Sequence, residues 1–324
     1  MKVAWLFPGQ GSQVVGMGKA LAEASPAARD VYARVDATLA REPTFTGMLS
    51  RLCFEGPEAE LTLTANTQPA IVATSIALLA ALRERHGDSL PTPSFAAGHS
   101  LGEYAALVAG GALSVEDACV VVHRRGRAMQ EAVPAGVGAM SAVMGADATV
   151  VEEVCREAAA ATGEVVSPAN FNAPGQIVIA GGANAVKKAG ELVAARKGKA
   201  IPLKVSAPFH CALMAPAADV VRTALGAVTV RAPSFPVVAN VDASPRVEPA
   251  AIVEALVQQV ASPVRWQASV EAMVAAGVTH ALEIGPGKVL AGLCKRIAPG
   301  LRVHNVSDLA GIEAVPAFFA TEQA

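Results

Sequence analysis

A serine between two glycines is the first group in this chain whose type and spacing point to chemistry. The stretch Gly98-His99-Ser100-Leu101-Gly102 fits the pattern G-x-S-x-G, in which small residues let a strand turn sharply into a helix and leave the serine exposed. Such a turn also directs the next backbone N–H and the helix N-terminus to one spot, which suits an oxyanion. The pattern alone can arise by chance, but a strand pattern precedes it and a helix pattern follows. We therefore predict a nucleophile at Ser100, with Leu101 N–H as one oxyanion donor.

A serine nucleophile needs a base, and the adjacent His99 is a poor candidate. Neighbouring side chains on a strand leave on opposite faces, so we expect His99 to pack or to form a hydrogen bond beneath the turn. His210 differs, because it follows Pro208 in a loop that can present a base to a cleft. Nothing near Cys211 favours a thiolate, so we interpret it as a small buried residue. A structural role is the better interpretation for the histidines in ordinary helix or strand patterns: His86, His123, His280 and His304.

The third member of a catalytic triad has no clear candidate. In the chain order of α/β hydrolases the acid would lie between Ser100 and His210, and no acidic residue there stands in a distinctive motif. A backbone carbonyl can orient an imidazole instead. The sequence therefore predicts a Ser-His dyad.

A glycine loop follows the first predicted strand and admits two interpretations. Gly9 and Gly11 suggest a dinucleotide-binding G-x-G-x-x-G, but its third glycine is replaced by Val14, so we reject that interpretation. A glycine loop in this place can instead bring a backbone N–H to the serine as a second oxyanion donor.

The elements that must position these residues alternate between strand and helix patterns. Strands are predicted at 3–7, 95–97, 236–241 and 280–284, and helices at 26–40, 68–86, 101–109, 115–132, 250–260 and 289–297. Between them, strands at 139–144, 165–171, 176–180 and 200–205 and helices at 148–161 and 185–196 give the order βαββαβ of a ferredoxin-like unit. We therefore predict an α/β body of residues 1–133 and 206–324, with a small subdomain, 134–205, inserted in it.

Composition excludes several classes of partner and site. The net charge of -2, from 26 basic and 28 acidic residues, argues against nucleic acid and against an anionic membrane as partners. The longest apolar runs, 70–82 and 104–115, are shorter than the roughly 18 residues of a spanning helix, and Pro8 interrupts any export segment. Five cysteines without a C-x-x-C pair fit reduced thiols in a cytoplasmic protein and suggest no zinc or other metal site.

Several segments together resemble the malonyl-CoA:acyl carrier protein transacylases, in order over nearly the whole chain. The match extends from Phe7 to about Ile297, which is far more specific than any single motif. The segments are 9–13 (GQGSQ), 66–70 (NTQPA), 98–104 (GHSLGEY), 125–126 (RG), 138–140 (GAM), 170–172 (NFN), 209–210 (FH) and 283–287 (EIGPG). The resemblance implies a hydrolase-like α/β body with a parallel sheet and an inserted ferredoxin-like subdomain.

The resemblance also assigns roles to individual residues. Ser100 would be the acylated nucleophile and His210 the general base and acid, with the N–H groups of Gln10 and Leu101 as the oxyanion hole. Arg125 would hold the malonyl carboxylate, since a guanidinium can return two charge-assisted hydrogen bonds to an anion that loses water. The remaining assignments are Gln259, whose carbonyl would orient His210, Gln68, near the substrate, and Phe209, which with Leu101 accompanies malonyl rather than methylmalonyl use.

The function that this resemblance implies is malonyl transfer from malonyl-CoA to the phosphopantetheine thiol of acyl carrier protein, through a malonyl-serine, for fatty acid or polyketide synthesis. No metal or bound cofactor is required, and we expect a cytoplasmic monomer. Carrier proteins are acidic, so basic residues of the insert are candidate docking residues, although exposed lysines more often only aid solubility: Lys187, Lys188, Arg196, Lys197 and Lys199.

Two alternatives remain open. A serine hydrolase or thioesterase could use the same dyad, although a carboxylate-binding arginine argues for the transferase. A non-catalytic acyl-binding or scaffold protein of the same fold is the second, and the joint presence of serine, histidine and arginine argues against it.

Overall fold

Two sheets of different kinds organise the residues that the computed structural model describes, 1–134, 136–205 and 207–320. The strands are β1 Val3–Phe7, β2 Phe95–Gly98, β3 Gly138–Met144, β4 Val166–Ala173, β5 Gln176–Gly182, β6 Lys199–Pro202, β7 Val237–Val238, β8 Pro245–Arg246, β9 His280–Ile284 and β10 Arg302–Val306. The α-helices are α1 Lys19–Ala24, α2 Pro26–Leu39, α3 Leu49–Glu55, α4 Glu58–Leu61, α5 Thr64–His86, α6 Gly102–Ala109, α7 Val115–Glu131, α8 Ala148–Thr162, α9 Ala183–Ala195, α10 Ala215–Gly226, α11 Pro249–Gln259, α12 Trp266–Ala275, α13 Val289–Ile297, α14 Leu309–Glu313 and α15 Val315–Ala320.

The larger sheet is parallel except at one edge. Its order is β10-β9-β1-β2-β7-β8, and β1 pairs in parallel with both β2 and β9. Every residue of β1 is buried, as expected of an apolar strand covered by helices on both faces. In such a sheet the loops that follow the carboxyl ends of the strands meet at one edge, which is where ligands bind.

The smaller sheet is antiparallel, with the order β4-β5-β3-β6. With α8 and α9 it forms the βαββαβ unit, and its apolar core, which includes Val143, Val154 and Ile179, is separate from that of the larger sheet. The predicted α/β fold class, a body with a parallel sheet and a ferredoxin-like insert, is therefore confirmed. The predicted boundaries at 133/134 and 205/206 stay a prediction, and Ser206 lies outside the described residues.

Helix α5 begins at Thr64 rather than at Gln68, so Pro69 lies inside it, and the predicted start was wrong. A proline has no N–H to donate to the carbonyl four residues earlier. That carbonyl belongs to Ala65, and it lies 2.9 Å from His123 Nδ1, which takes the place of the missing donor. A side chain from α7 therefore compensates for the proline.

Helix α5 also belongs to the stretch in which the predicted apolar run was too short to span a membrane. By length and composition alone the stretch Thr64–Ser89 could cross a membrane, so the argument from its short apolar run was wrong. However, 83% of its apolar window is buried inside the protein. It is therefore a helix of the core.

Two predicted strands are shorter in the structure. Strand β6 ends at Pro202 rather than at Val205, and β7 contains only Val237 and Val238. The N–H groups that would continue β7 donate elsewhere: that of Ala239 to Ser244 O at 3.0 Å and that of Asn240 to a carboxylate oxygen of Glu103 at 2.9 Å.

The turn from β2 into α6, which carries the serine, packs its backbone closely against itself and against β1. A Cβ on Gly102 would lie 2.3 Å from Phe7 O, and a Cβ on Gly98 would lie 1.9 Å from the carbonyl carbon of Gly102. Both distances are far below van der Waals contact. The two glycines of G-x-S-x-G therefore let the start of α6 lie directly against β1.

We predict that Gly102→Ala destabilises the protein by about 3 kcal/mol, because Phe7 O belongs to the backbone of the central strand and cannot move aside. Denaturant unfolding followed by circular dichroism measures this loss. The control is Gly292→Ala at an exposed position of α13, where an added Cβ meets nothing within 4 Å; it should raise stability by about 0.5–1 kcal/mol. Equal stabilities for the two variants would contradict the packing argument.

Candidate active site

Ser100 lies at the corner between β2 and α6 with a left-handed backbone, φ 52°. This conformation is costly for a residue with a side chain and persists only where its surroundings hold it. Asn240 provides one such hold, because its Oδ1 accepts from Ser100 N at 2.7 Å while its Nδ2 donates to Gly98 O at 2.8 Å. Gln259 provides another, because its Nε2 donates to Ser100 O at 3.1 Å.

The structure brings His210 to Ser100, and it does not use His99. The Nε2 of His210 lies 2.8 Å from Ser100 Oγ, and its Nδ1 lies 2.9 Å from the backbone oxygen of Gln259. Since a carbonyl only accepts, Nδ1 carries the proton and Nε2 is left to accept the one on the serine. Like Ser100, His210 has a positive φ, 59°. His210 Nε2 is therefore placed to accept the proton of the Ser100 hydroxyl.

Arg125 is the third group at the serine hydroxyl. Its Nη2 donates to Ser100 Oγ at 3.0 Å and to Gln259 Oε1 at 2.8 Å, and its Nη1 donates to Gln68 Oε1 at 2.6 Å. The side chain is only 1% exposed, and its Nε is buried without a partner among the described residues. The two flanking arginines point elsewhere: Arg124 pairs with Glu42 and Arg127 with Glu131.

The charge of Arg125 is buried without a directly paired carboxylate. The ion pairs found among residues 1–134, 136–205 and 207–320 do not include it, and its side-chain acceptors are the neutral amides of Gln68 and Gln259 and the Ser100 hydroxyl. A buried, uncompensated cation is unfavourable, and an anionic ligand would relieve the cost. Burial and the neighbouring guanidinium lower the pKa of His210 to about 3, so the imidazole is held in its neutral, proton-accepting form.

Two backbone N–H groups next to the serine are free to bind an oxyanion. Within the part of the chain that the structure describes, neither Gln10 N–H nor Leu101 N–H has an acceptor. The glycine loop that carries Gln10 is held by its side chain, whose Nε2 donates to Thr64 Oγ1 at 3.2 Å. This loop follows β1 and Leu101 follows β2, so adjacent parallel strands present the two donors.

The site opens into a cleft of about 370 Å³ lined by the loops that follow β1 and β2, by the smaller sheet and by helix α13. Met140 and Val178 come from the smaller sheet, and Leu290 and Leu293 from α13, so much of the wall is apolar. Gln259 is fully buried and does not line the cleft. The other sequence-predicted site residues line the cleft: Gln10, Gln68, Ser100, Leu101, Arg125, Phe209 and His210.

The remaining candidates have structural contacts. His99 Nε2 lies 2.8 Å from Asn172 Oδ1, its ring packs on Trp266 at 5.9 Å, and burial lowers its pKa. Cys211 is buried, and burial raises the pKa of its thiol. Within the described ranges no group of three or more His, Cys, Asp or Glu residues could hold a metal ion. None of the five candidate docking residues of the insert lines the cleft, and Lys188 and Arg196 form ion pairs with Glu191 and Glu157.

Sequence reasoning missed two residues that hold the site, Asn240 and Glu103. Glu103 Oε2 accepts from Asn240 N at 2.9 Å and from Gln259 Nε2 at 2.8 Å, and both residues are buried. A signal for each is present in the sequence. Glu103 is the only charged residue in an otherwise apolar helix, and Asn240 is the only amide in the otherwise apolar stretch 235–241, at the edge of the sheet where ligands bind.

Comparison with known proteins gives one family. The family model described as acyl transferase domain matches residues 4–312. A malonyl CoA-acyl carrier protein transacylase from Bacillus subtilis is 49% identical over 313 residues, 96% of this chain and 95% of that protein. One of the same name from Escherichia coli is 46% identical over 312 residues, 96% of this chain and 97% of that protein.

A solved structure agrees with these relatives. It is a complex of a type II polyketide synthase acyl-carrier protein with its malonyl-transacylase. The chain of it that matches is 44% identical to this one with a TM-score of 0.91, and the match covers 97% of this chain and 98% of that one. The chain therefore belongs to the acyl transferase family, and within it to the malonyl CoA-acyl carrier protein transacylases.

We predict that the imidazole of His210 stays neutral when the pH is lowered from about 8 to about 5. Because its pKa is lower in the folded chain than in the unfolded chain, the unfolded chain binds the proton first. This residue's contribution to stability therefore becomes less favourable as the pH falls below about 6.5. The C2–H resonance of His210, assigned by its loss in His210→Gln, reports the titration by NMR. A midpoint near the ordinary histidine value would contradict the burial of the base.

Proposed function

We propose that this protein transfers the malonyl group of malonyl-CoA to the phosphopantetheine thiol of acyl carrier protein through a malonyl-Ser100 intermediate. One observation carries the proposal: Ser100 Oγ lies 2.8 Å from His210 Nε2 and 3.0 Å from Arg125 Nη2. The nucleophilic hydroxyl therefore lies beside both a base and a cation that can bind a carboxylate. The names of relatives that are 49% and 46% identical support the same substrates.

The first half of the reaction forms the malonyl-serine. The hydroxyl proton of Ser100 passes to His210 Nε2 as Oγ forms a bond to the thioester carbonyl carbon. The oxyanion that develops receives hydrogen bonds from Gln10 N–H and Leu101 N–H. When the tetrahedral intermediate collapses, the carbon–sulfur bond breaks, and the coenzyme A sulfur takes the proton from His210.

The second half repeats these steps with a different thiol. His210 accepts the proton of the phosphopantetheine thiol, whose sulfur attacks the malonyl ester and forms a new thioester. The bond to Ser100 breaks, and Oγ recovers a proton from His210. Transfer competes with hydrolysis, and the apolar wall formed by Met140, Val178 and Leu290 supports it by excluding water.

Arg125 and its neighbours would select the malonyl group. The malonyl carboxylate binds the buried guanidinium, which Gln68 and Gln259 hold without neutralising it. Gln259 also orients His210, because its carbonyl accepts from Nδ1. Leu101 and Phe209 are buried at the cleft and would limit the room beside the acyl chain, favouring malonyl over methylmalonyl.

The wider assignment follows from the same reaction. The partners are malonyl-CoA and a phosphopantetheinylated carrier protein, with neither nucleic acid nor a membrane, and the net charge of -2 supports this. The five free, buried cysteines support a cytoplasmic enzyme. We further propose that it acts as a monomer, with no metal or bound cofactor, and that its product supplies fatty acid or polyketide synthesis.

Ser100→Ala should abolish covalent labelling by malonyl-CoA, because among the described residues only the Ser100 hydroxyl forms a hydrogen bond with His210. Intact-protein mass spectrometry of the wild type should show one malonyl adduct, which disappears when holo carrier protein is added. Malonyl carrier protein among the products supports the transferase, whereas free malonate would indicate a hydrolase. An unlabelled wild-type protein would indicate a non-catalytic acyl-binding protein. A labelled Ser100→Ala variant would overturn the assignment of the nucleophile.

Arg125→Ala should lower the malonyl-to-acetyl ratio of acylation rates by about 100-fold, since two charge-assisted hydrogen bonds to the carboxylate are lost. Rapid-quench acylation with malonyl-CoA and acetyl-CoA measures the ratio. The matched control is Arg127→Ala on the same helix, which breaks only the exposed ion pair with Glu131 and should leave the ratio unchanged. An unchanged ratio in Arg125→Ala would remove this residue from carboxylate binding.

A further inference from the structure

Glu103 is a buried carboxylate beside the site that takes no part in the reaction steps above. It lies in the first turn of α6, three residues after Ser100, and is 3% exposed. Its Oε2 accepts two hydrogen bonds, from Asn240 N at 2.9 Å and from Gln259 Nε2 at 2.8 Å. A buried carboxylate is unfavourable unless such donors compensate for lost water.

Gln259 connects this carboxylate to both reactive groups. Its backbone oxygen accepts from His210 Nδ1, and its side-chain Oε1 accepts from Arg125 Nη2 at 2.8 Å. The two ends of a glutamine amide have nearly the same shape, so only their partners decide which end faces which way. If this amide were reversed, its NH2 would face a guanidinium and its oxygen would face a carboxylate. Both contacts would be repulsive.

We propose, on the basis of the function above, that Glu103 is a positioning residue that fixes the orientation of the Gln259 amide. The amide oxygen then holds Arg125 Nη2 at Ser100 Oγ. The same carboxylate oxygen binds Asn240 N, and Asn240 Oδ1 in turn holds Ser100 N at 2.7 Å. Glu103 therefore positions Arg125 through Gln259, and it holds the strained backbone of Ser100 through Asn240.

The placement of this negative charge explains why it does not neutralise the arginine. Gln259 lies between the two groups, so Arg125 keeps its charge available for a ligand while Glu103 is held by amide donors. Burial raises the pKa of Glu103 to about 7, against the opposing effects of Asn240, Gln259 and Arg125. A direct ion pair with Arg125 would instead compete with the malonyl carboxylate.

Three substitutions of Glu103 test separately its charge, the length of its side chain and its acceptor oxygen. Glu103→Gln keeps an acceptor oxygen at the same distance and removes the charge. Glu103→Asp keeps the charge but withdraws it by one methylene, and Glu103→Met removes the acceptor at similar volume. For each variant the rates of Ser100 acylation by malonyl-CoA and by acetyl-CoA are measured in single-turnover experiments.

We expect Glu103→Gln to keep the malonyl-to-acetyl ratio within about twofold of wild type, and Glu103→Asp and Glu103→Met to lower it about tenfold, the effect of one lost hydrogen bond to a charged group. The proposal is overturned if Glu103→Gln lowers the ratio as much as Glu103→Asp does. It is equally overturned if all variants slow both substrates alike, which a purely structural role would do. Should Glu103→Met not fold, the comparison of Gln with Asp decides.

The matched control is Glu42→Gln, which removes another buried carboxylate that faces α7. Glu42 is 8% exposed and accepts from Arg124 Nη2 at 2.8 Å. This variant should lose stability without any change in the malonyl-to-acetyl ratio. The wild-type enzyme separates the two hypotheses: if malonyl-CoA does not acylate it, the proposed function fails, whereas normal acylation with an unchanged ratio in the Glu103 variants rejects only the positioning role.

Discussion

A positive charge buried against a serine hydroxyl is the interaction on which the rest of this site depends. The guanidinium of Arg125 is 1% exposed and donates to Ser100 Oγ. It favours the neutral form of His210, and it leaves the cleft in need of an anion. Both effects require that the charge remain uncompensated, which explains why its side-chain acceptors are the amide oxygens of Gln68 and Gln259 and a hydroxyl rather than a carboxylate.

The backbone around the serine is held in a conformation that it would not adopt by itself. Ser100 and His210 both have positive φ values, and long-range hydrogen bonds with Asn240 and Gln259 hold the Ser100 backbone and the His210 ring. The close contact of Gly102 with Phe7 O adds a steric constraint. Strain of this kind persists only where the surrounding structure over-determines it. The parallel sheet supplies that structure, because the carboxyl ends of β1, β2 and β7 lie side by side.

Much of the fold could be predicted from local patterns, and the exceptions have identifiable physical causes. The strand His280–Ile284 and the helix Val289–Ile297 have the bounds that the sequence predicted. The start of α5 was misplaced because a proline normally marks the first turn of a helix, and here a histidine from another helix supplies the missing donor. Strand β7 was overestimated because Asn240 N–H binds Glu103 rather than a neighbouring strand. In each case a distant side chain decided between two conformations that were locally acceptable.

The amino-acid sequence by itself determined the candidate chemistry: a serine at a strand-to-helix turn, a loop histidine suited to act as its base, and, through family resemblance, an arginine for a carboxylate. These inferences rest on backbone propensities and short motifs, which act over a few residues. Only the tertiary structure decided which side chains form hydrogen bonds with the Ser100 hydroxyl. It also revealed the contact between Glu103 and Asn240, which support this site. The reason is that these contacts join residues 25 to 140 positions apart. Their geometry is set by sheet pairing and burial, which no local pattern encodes.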